Sequence, residues 1–280
     1  LYRQAMARVE EIIANGTGLV EIKSGYGLTL EDELKMLRVI RRISETSPIA
    51  VRATFLGAHA VGRAYAGRQQ EYVDYVCRDM LPAVAQQGIA QFVDVFCDRG
   101  FFTVEQTAQI MSEAAKYGIR AKIHANELAV SGGVEVGVEH NALSVDHLES
   151  MGDEQIAALK GSKTMPTMLP GCAFFLGISY PPARKMIEGG LPVALASDFN
   201  PGTAPSGNMR FVVALASIKM KMTPAEAINA ATRSTAHAPW ARAATMAQSH
   251  AARWLTSSSL SLCPRWHISL MRTRHQSYDT

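Results

Sequence analysis

Two histidines and an aspartate stand where metal chemistry would need them. His124 follows the apolar run Ala121-Lys-Ile123, His147 follows Leu143-Ser-Val-Asp146, and Asp198 follows Ala194-Leu-Ala-Ser197. Each run reads as a short strand, so each group sits just past a strand end. Neutral imidazoles and a carboxylate converging there suit one divalent ion, zinc or ferrous iron. Such an ion would acidify water to a pKa near about 7 and make a nucleophile available. A lone strand-end histidine is more often structural, and only convergence of the three would make a site.

Other groups fall at similar places. Glu127 lies three residues beyond His124, and there it could move a proton from an attacking water to a leaving nitrogen. The bland alternative is a solvated loop carboxylate. His59 and Tyr26 close two earlier apolar runs; His59 could polarise a carbonyl oxygen, and both could bind a polar substrate. Asp198-Phe-Asn-Pro-Gly-Thr203 is a turn-forming loop. It would offer Asn200, the Gly202 N–H and the Thr203 hydroxyl to a substrate carboxylate, unless the turn needs those residues for its own geometry.

The elements that must position these groups alternate. Strand patterns run over Leu19–Lys23, Val51–Leu56, Phe92–Phe96, Arg120–Ile123, Ala142–Val145, Lys163–Met168 and Pro192–Ala196. Helical patterns run over Glu31–Glu45, Gln69–Gln86, Val104–Tyr117, Asp153–Leu159 and Pro181–Glu188. Thr29-x-x-Asp32 and Thr103-x-x-Gln106 are helix-start signals. Strands separated by helices predict parallel βα units. Polar groups gathered at one end of the strands fit an α/β barrel of the (β/α)8 TIM type better than a dinucleotide-binding sheet.

Composition narrows the class. The chain has 280 residues, 48% hydrophobic, with a formal net charge of +3 and no basic stripe interleaved with aromatics, so a nucleic-acid partner is not expected. No apolar run nears the roughly 20 residues that span a bilayer, so no membrane partner is expected. The four cysteines, Cys77, Cys97, Cys172 and Cys263, form no C-x-x-C pair and read as small buried hydrophobes in a reducing cytoplasm. The chain opens on Leu1 with a helix-like stretch to Ala14 and no leader pattern, and we expect a fragment lacking its true N-terminus. Residues 1–232 are expected to form a partial barrel, strands two to eight of eight. All three tryptophans and a Ser/Leu run fall after Thr232, so 233–280 is expected to be a poorly specified tail, with out-of-frame translation as one reading.

Six segments carry a resemblance. Lys23-Ser-Gly-Tyr-Gly-Leu28, Thr54-Phe-Leu-Gly-Ala-His-Ala-Val61, Val93-Asp-Val-Phe-Cys97, Lys122-Ile-His-Ala-Asn-Glu-Leu128, Val145-Asp-His-Leu-Glu149 and Ser197-Asp-Phe-Asn-Pro-Gly202 resemble the successive strand-end motifs of the imidazolonepropionase family, in the amidohydrolase superfamily. The match runs in order through roughly residues 1–232. The resemblance implies hydrolysis of 4-imidazolone-5-propanoate to N-formimidoyl-L-glutamate in histidine degradation. It implies His124 and Asp198 as ligands of a single zinc or iron, and Glu127 and His147 near the attacking water. It implies Tyr26, His59, Asn200, Gly202 and Thr203 in substrate binding, with His59 also stabilising the oxyanion, and a cytoplasmic homodimer for the full-length protein. There are departures. The family carries a His-x-His pair on its first barrel strand, and this sequence has none, so that strand and the small β-sandwich domain are read as missing. Asn126 stands where the family usually shows Asp. The rival readings are another cyclic-amide hydrolase or deaminase of the superfamily, or a catalytically inactive fragment.

Overall fold

A computed structural model describes residues 1–234 of the chain. Seven strands pair in sequence order, every neighbouring pair parallel. They are β1 (Leu19–Lys23), β2 (Ala50–Ala58), β3 (Phe92–Cys97), β4 (Arg120–Ala125), β5 (Ser144–His147), β6 (Met165–Met168) and β7 (Ala194–Leu195). Because all are parallel, their C-terminal ends share one rim.

The sheet is curled. Strands lie about 4.8 Å apart, so a flat sheet would separate β1 from β5 by roughly 19 Å. Yet Lys23 Nζ on β1 is 3.6 Å from Asp146 Oδ2 on β5, and Lys122 Nζ on β4 is 2.5 Å from Glu21 Oε2 on β1. The concave face is therefore a barrel wall, and the helices cover the outside. The helix Leu30–Thr46 shows how: Thr29 caps it through the Asp32 amide, and Leu37, Ile40 and Ile43 recur at helical spacing on the face turned to the sheet. Thr103 and Gln106 form the expected capping box on Val104–Lys116.

All seven predicted strands are present, with shifted ends. β2 runs on to Ala58, while β6 and β7 are shorter than Lys163–Met168 and Pro192–Ala196. The single helix expected over Gln69–Gln86 is three pieces: a helix to Tyr75, a π-helical turn Val76–Met80, and a helix Leu81–Gln87. Pro82 is the physical reason, since it has no N–H to continue the i to i−4 ladder. Helices Gly133–Glu139, Pro170–Leu176, Met209–Ile218 and Pro224–Asn229 were not expected from the pattern. No helix among the described residues is long and apolar enough to cross a membrane. Most of the segment 233–280, Cys263 included, lies outside the described residues, and neither an earlier strand nor a sandwich domain is among them.

The concave face carries charge instead of the usual aliphatic layers. Glu21, Lys23, Asp94, Lys122 and Asp146 meet there. Lys23 bonds Asp94 at 2.6 Å and Glu21 at 2.9 Å, and Lys122 lies 3.2 Å from Asp146. Thr54 donates to Glu21, and Ser144 to Asp146. Three acids face two lysines, so every ion has a counter-ion, the condition under which buried charge is tolerated. Burial alone would raise the Glu21 carboxyl, but Lys122 and Lys23 outweigh it and hold it down at about 2.

Candidate active site at the strand ends

The rim is built above this charged floor, one strand end at a time. After β1 the chain turns through Ser24–Leu28, which carries Tyr26. The fully buried Glu33 pins the turn: its carboxylate accepts the amides of Gly25, Gly27 and Leu28 at 2.8–2.9 Å. Gly25 has φ +107°, and a Cβ there would stand 2.9 Å from the Leu56 carbonyl oxygen, so only glycine fits. Tyr26 itself is 60% exposed and meets the His59 ring edge-on at 5.4 Å. Glu33→Ala is expected to cost at least about 1.5–3 kcal/mol, the range for hydrogen bonds to a charged group, and to loosen Tyr26. A urea unfolding midpoint unchanged from the parent would contradict this.

His59 reaches the rim through a bulge. Phe55 pairs with Val93 but Ala58 pairs with Val95, so β2 carries one extra residue. Strand side chains alternate faces, so one insertion moves position 59 onto the face Thr54 occupies. Gly57 sits in the bulge, where a Cβ would meet the Phe55 ring. His59 then lies 6.3 Å, ring to ring, from His124. Its Nδ1 is 3.2 Å from the Gly25 carbonyl oxygen, so that nitrogen must carry the proton. Burial, and then the neighbouring His124, push the His59 pKa down and keep it neutral. A neutral ring with the proton on Nδ1 presents Nε2 as an acceptor. In this tautomer the free face of His59 is an acceptor, suited to a substrate N–H.

β4 ends in His124 and Ala125, and the next residues turn sharply. His124 Nδ1 pairs with Asp94 Oδ1 at 3.0 Å. Burial works against the Asp94 charge, but His124 and Lys23 overcome it and keep the carboxyl well below the usual range. Asn126 adopts φ +56°, a conformation asparagine tolerates, and exchanges backbone and side-chain bonds with Ser150. Asp98 accepts the Leu128 amide at 2.9 Å. Between these two anchors Glu127 is turned inward and is only 8% exposed, so it is not a solvated loop carboxylate.

β5 delivers His147, which is buried, with its ring 5.2 Å from that of His124. His147 Nε2 lies 3.6 Å from Glu127 Oε2, and its Nδ1 lies 3.7 Å from Glu149 Oε2. Burial disfavours the imidazolium, yet Cys172, Glu149 and Glu127 outweigh it and raise the His147 pKa. Burial pushes the Glu149 carboxyl up. Cys172, from the unforeseen helix Pro170–Leu176, points its Sγ at Glu127 Oε1 across 3.5 Å. It is buried as expected, and its neighbours are Glu127 and His147. Cys77 and Cys97 are likewise buried.

Asp198 completes the rim after β7 and is close enough to shift Tyr26, whose pKa rises first from burial and then from the Asp198 charge. Past it the turn satisfies itself. Asn200 Oδ1 accepts the amides of Gly202 and Thr203, each at 2.8 Å, and Asn200 Nδ2 donates to the Asp198 carbonyl. Thr203 Oγ1 lies 3.4 Å from Asp198 Oδ2. The Asn200, Gly202 and Thr203 donors expected for a substrate carboxylate are engaged within the turn here.

Asn126, His147, Leu148 and Asp198 all have positive φ, at +56°, +84°, +73° and +53°. Left-handed backbone costs a side-chain-bearing residue roughly 1–2 kcal/mol, and such strain clusters at working sites. Asp98, Asn126, Glu33 and Asp94 were not foreseen as supports of the site. Strand periodicity could have found Asp94, because it shares an inward face with Lys122 and His124.

No protein-family model matches the chain. It is 57% identical over 238 residues to the imidazolonepropionase of Flavobacterium johnsoniae, covering 85% of this chain and 58% of that protein. It is 54% identical over 238 residues to the imidazolonepropionase of Christiangramia forsetii, with the same coverage. Among solved structures, a mutant atrazine chlorohydrolase from Arthrobacter aurescens, complexed with zinc and atraton, aligns at TM-score 0.65 and 14% identity over 83% of this chain and 59% of that one, a likeness of fold alone. The chain thus spans a little over half the length of the curated relatives it matches. Over that continuous stretch, the identity and the ordered strand-end motifs make this chain a member of the imidazolonepropionase family.

Proposed function

We propose that this chain provides strand-end groups for opening the cyclic amide of 4-imidazolone-5-propanoate, giving N-formimidoyl-L-glutamate in histidine breakdown. The observation that supports this most is the meeting of His59, His124, Glu127 and His147 on one rim, in the motifs the family shares. Residues 1–232 are taken as the barrel part of a cytoplasmic homodimer acting on a small molecule.

The residues present fit a divalent metal. His124 donates its Nδ1–H to the Asp94 carboxylate in a hydrogen bond, which leaves the Nε2 lone pair for a metal, and a carboxylate behind the ring is the usual support of a metal-bound histidine. Asp198 adds a carboxylate. This donor set suits zinc or ferrous iron, and such ions take four or more ligands, so the remaining ones lie outside this pair. When bound, the ion would supply Lewis acidity toward a carbonyl and a water.

The chain's own groups would do the rest. Glu127 takes a proton from the attacking water and hands it to the leaving ring nitrogen. His147, whose pKa is raised, offers a donor to the carbonyl oxygen as charge builds there. His59 accepts a ring N–H through Nε2. Tyr26 covers the mouth, and the Asn200–Thr203 turn shapes the far rim, where a propionate would lie only if the turn released its own donors.

In a family-length protein carrying these residues, Asp198→Ala is expected to abolish both metal retention and turnover. Metal content by elemental analysis and loss of the imidazolone ultraviolet absorbance are the two readings. Full turnover with an empty site would overturn the proposal.

A further inference from the structure

We infer that Glu127, His147 and Cys172 form a second cation site, selective for thiophilic divalent ions such as cadmium and excess zinc, whose occupation shuts the hydrolytic machinery off. The inhibitory half rests on the proposed hydrolysis; the binding half does not.

The geometry comes first. Ligand atoms of the three residues lie within 4.8 Å of one another, and among the described residues this is the only group of three such donors. Cys172 Sγ to Glu127 Oε1 is 3.5 Å, and His147 Nε2 to Glu127 Oε2 is 3.6 Å. Donors around a tetrahedral zinc at bond lengths of about 2.0–2.3 Å sit roughly 3.3–3.8 Å apart. Two spacings, each to a different Glu127 oxygen, fall in that range and no pair exceeds 4.8 Å, so a modest turn of the Glu127 carboxylate and the facing side chains would close the three donors on one ion.

The chemistry agrees. A carboxylate, a neutral imidazole and a thiolate carry two negative charges between them and balance a dication in a buried setting. The sulfur makes the site soft and so prefers cadmium or zinc over magnesium or calcium. On binding, the Cys172 thiol loses its proton to solvent as the sulfur–metal bond forms, a protonated His147 likewise releases its Nε2 proton to solvent as the nitrogen–metal bond forms, and no electron is transferred.

A second, independent observation points to a ligand. His147 Nδ1 and both carboxylate oxygens of Glu149 are buried without a hydrogen-bond partner. Glu149 lies 3.7 Å behind the ring. Drawn onto a cation through Nε2, His147 would present its Nδ1–H to Glu149, and the carboxylate would then fix the ring as in other metal-bound histidines. The scaffold is also preformed. Cys172 lies fully buried in its helix, and the Glu127 loop is anchored by Asp98 and by Asn126 with Ser150. An ion held there would take the Glu127 carboxylate and the His147 ring, the two groups assigned to proton transfer. His124 and Asp198 would be left untouched.

The test is a cadmium titration of the 280-residue chain, read by thiolate-to-cadmium charge-transfer absorption in the ultraviolet, with zinc competing for the same site. Wild type is expected to take one equivalent with the band. Cys172→Ser should lose the band, and Asp198→Ala should keep it. A band that survives Cys172→Ser, or a folded wild type with no band, overturns the site. If Cys172→Ser fails to fold by circular dichroism, Glu127→Gln is the second arm, and an unchanged cadmium affinity there overturns the site equally. In the family-length protein, cadmium should stop wild-type turnover at concentrations that Cys172→Ser withstands. A band without turnover in untreated wild type would count against the hydrolase reading and leave the cation site standing.

Discussion

Glu127→Gln in a family-length protein is expected to lower turnover of 4-imidazolone-5-propanoate by roughly 10²–10⁴-fold, the usual contribution of a positioned general acid–base group. The substitution is nearly isosteric, and the loop around it is held by other residues, through the Leu128 amide on Asp98 and the Asn126–Ser150 bonds. Stability should therefore change little. Metal content should also hold, because Glu127 is not one of the proposed pair His124 and Asp198. The loss should fall on kcat more than on KM, since the amide still fills the space but no longer accepts a proton. Steady-state turnover within a few-fold of the parent would remove Glu127 from the mechanism.

Asp94→Ala is expected to cost about 3–5 kcal/mol, as breaking a buried ion pair by removing one partner does. Asp94 is fully buried, and its loss strips Lys23 of its 2.6 Å partner and His124 of its Nδ1 acceptor together. Urea unfolding reads the first effect. Weakened metal retention by an otherwise folded variant reads the second, which a purely structural aspartate would not produce. The same charged floor makes the fold acid-labile. The Glu21 carboxyl sits at about 2 when folded, against an ordinary 4.5. A carboxyl depressed by folding contributes stability that is fully present above the unfolded value and is lost as pH falls through the folded one. The unfolding free energy should thus decline between pH 4.5 and about 2, with Asp94 acting in the same direction. A flat stability profile across that window would mean that the lysines do not hold Glu21 ionised.

Much of the scaffold was legible because it is local. Apolar runs such as Leu19–Lys23 and Phe92–Cys97 declare themselves without tertiary context, and Thr103 with Gln106 writes its own helix start. The missed helices had misleading patterns. Gly132-Gly133 reads as loop, and Val134, Val136 and Val138 alternate as a strand would, yet the segment is helical against β4 and β5. Pro170 and Gly171 read as breakers, although proline is well suited to a first helical turn. At the rim, His59, His124, Glu127 and His147 could be nominated because each stands at or just past the end of a strand pattern. Cys172 could not, since it lies 45 residues from Glu127 and only the barrel's curl joins them. The His59 tautomer was equally hidden, because it depends on a carbonyl 34 residues away.

The left-handed strand ends at Asn126, His147, Leu148 and Asp198 imply an order of failure. Those residues are bent against their own preference, and what keeps them bent is the bonds within the rim together with the interior on which the rim stands. If that interior loosens, through acid, heat or a lost counter-ion, the rim relaxes first. Catalytic alignment should then fade while the strands are still paired and the outer helices still wound, so that the molecule loses its chemistry before it loses its shape.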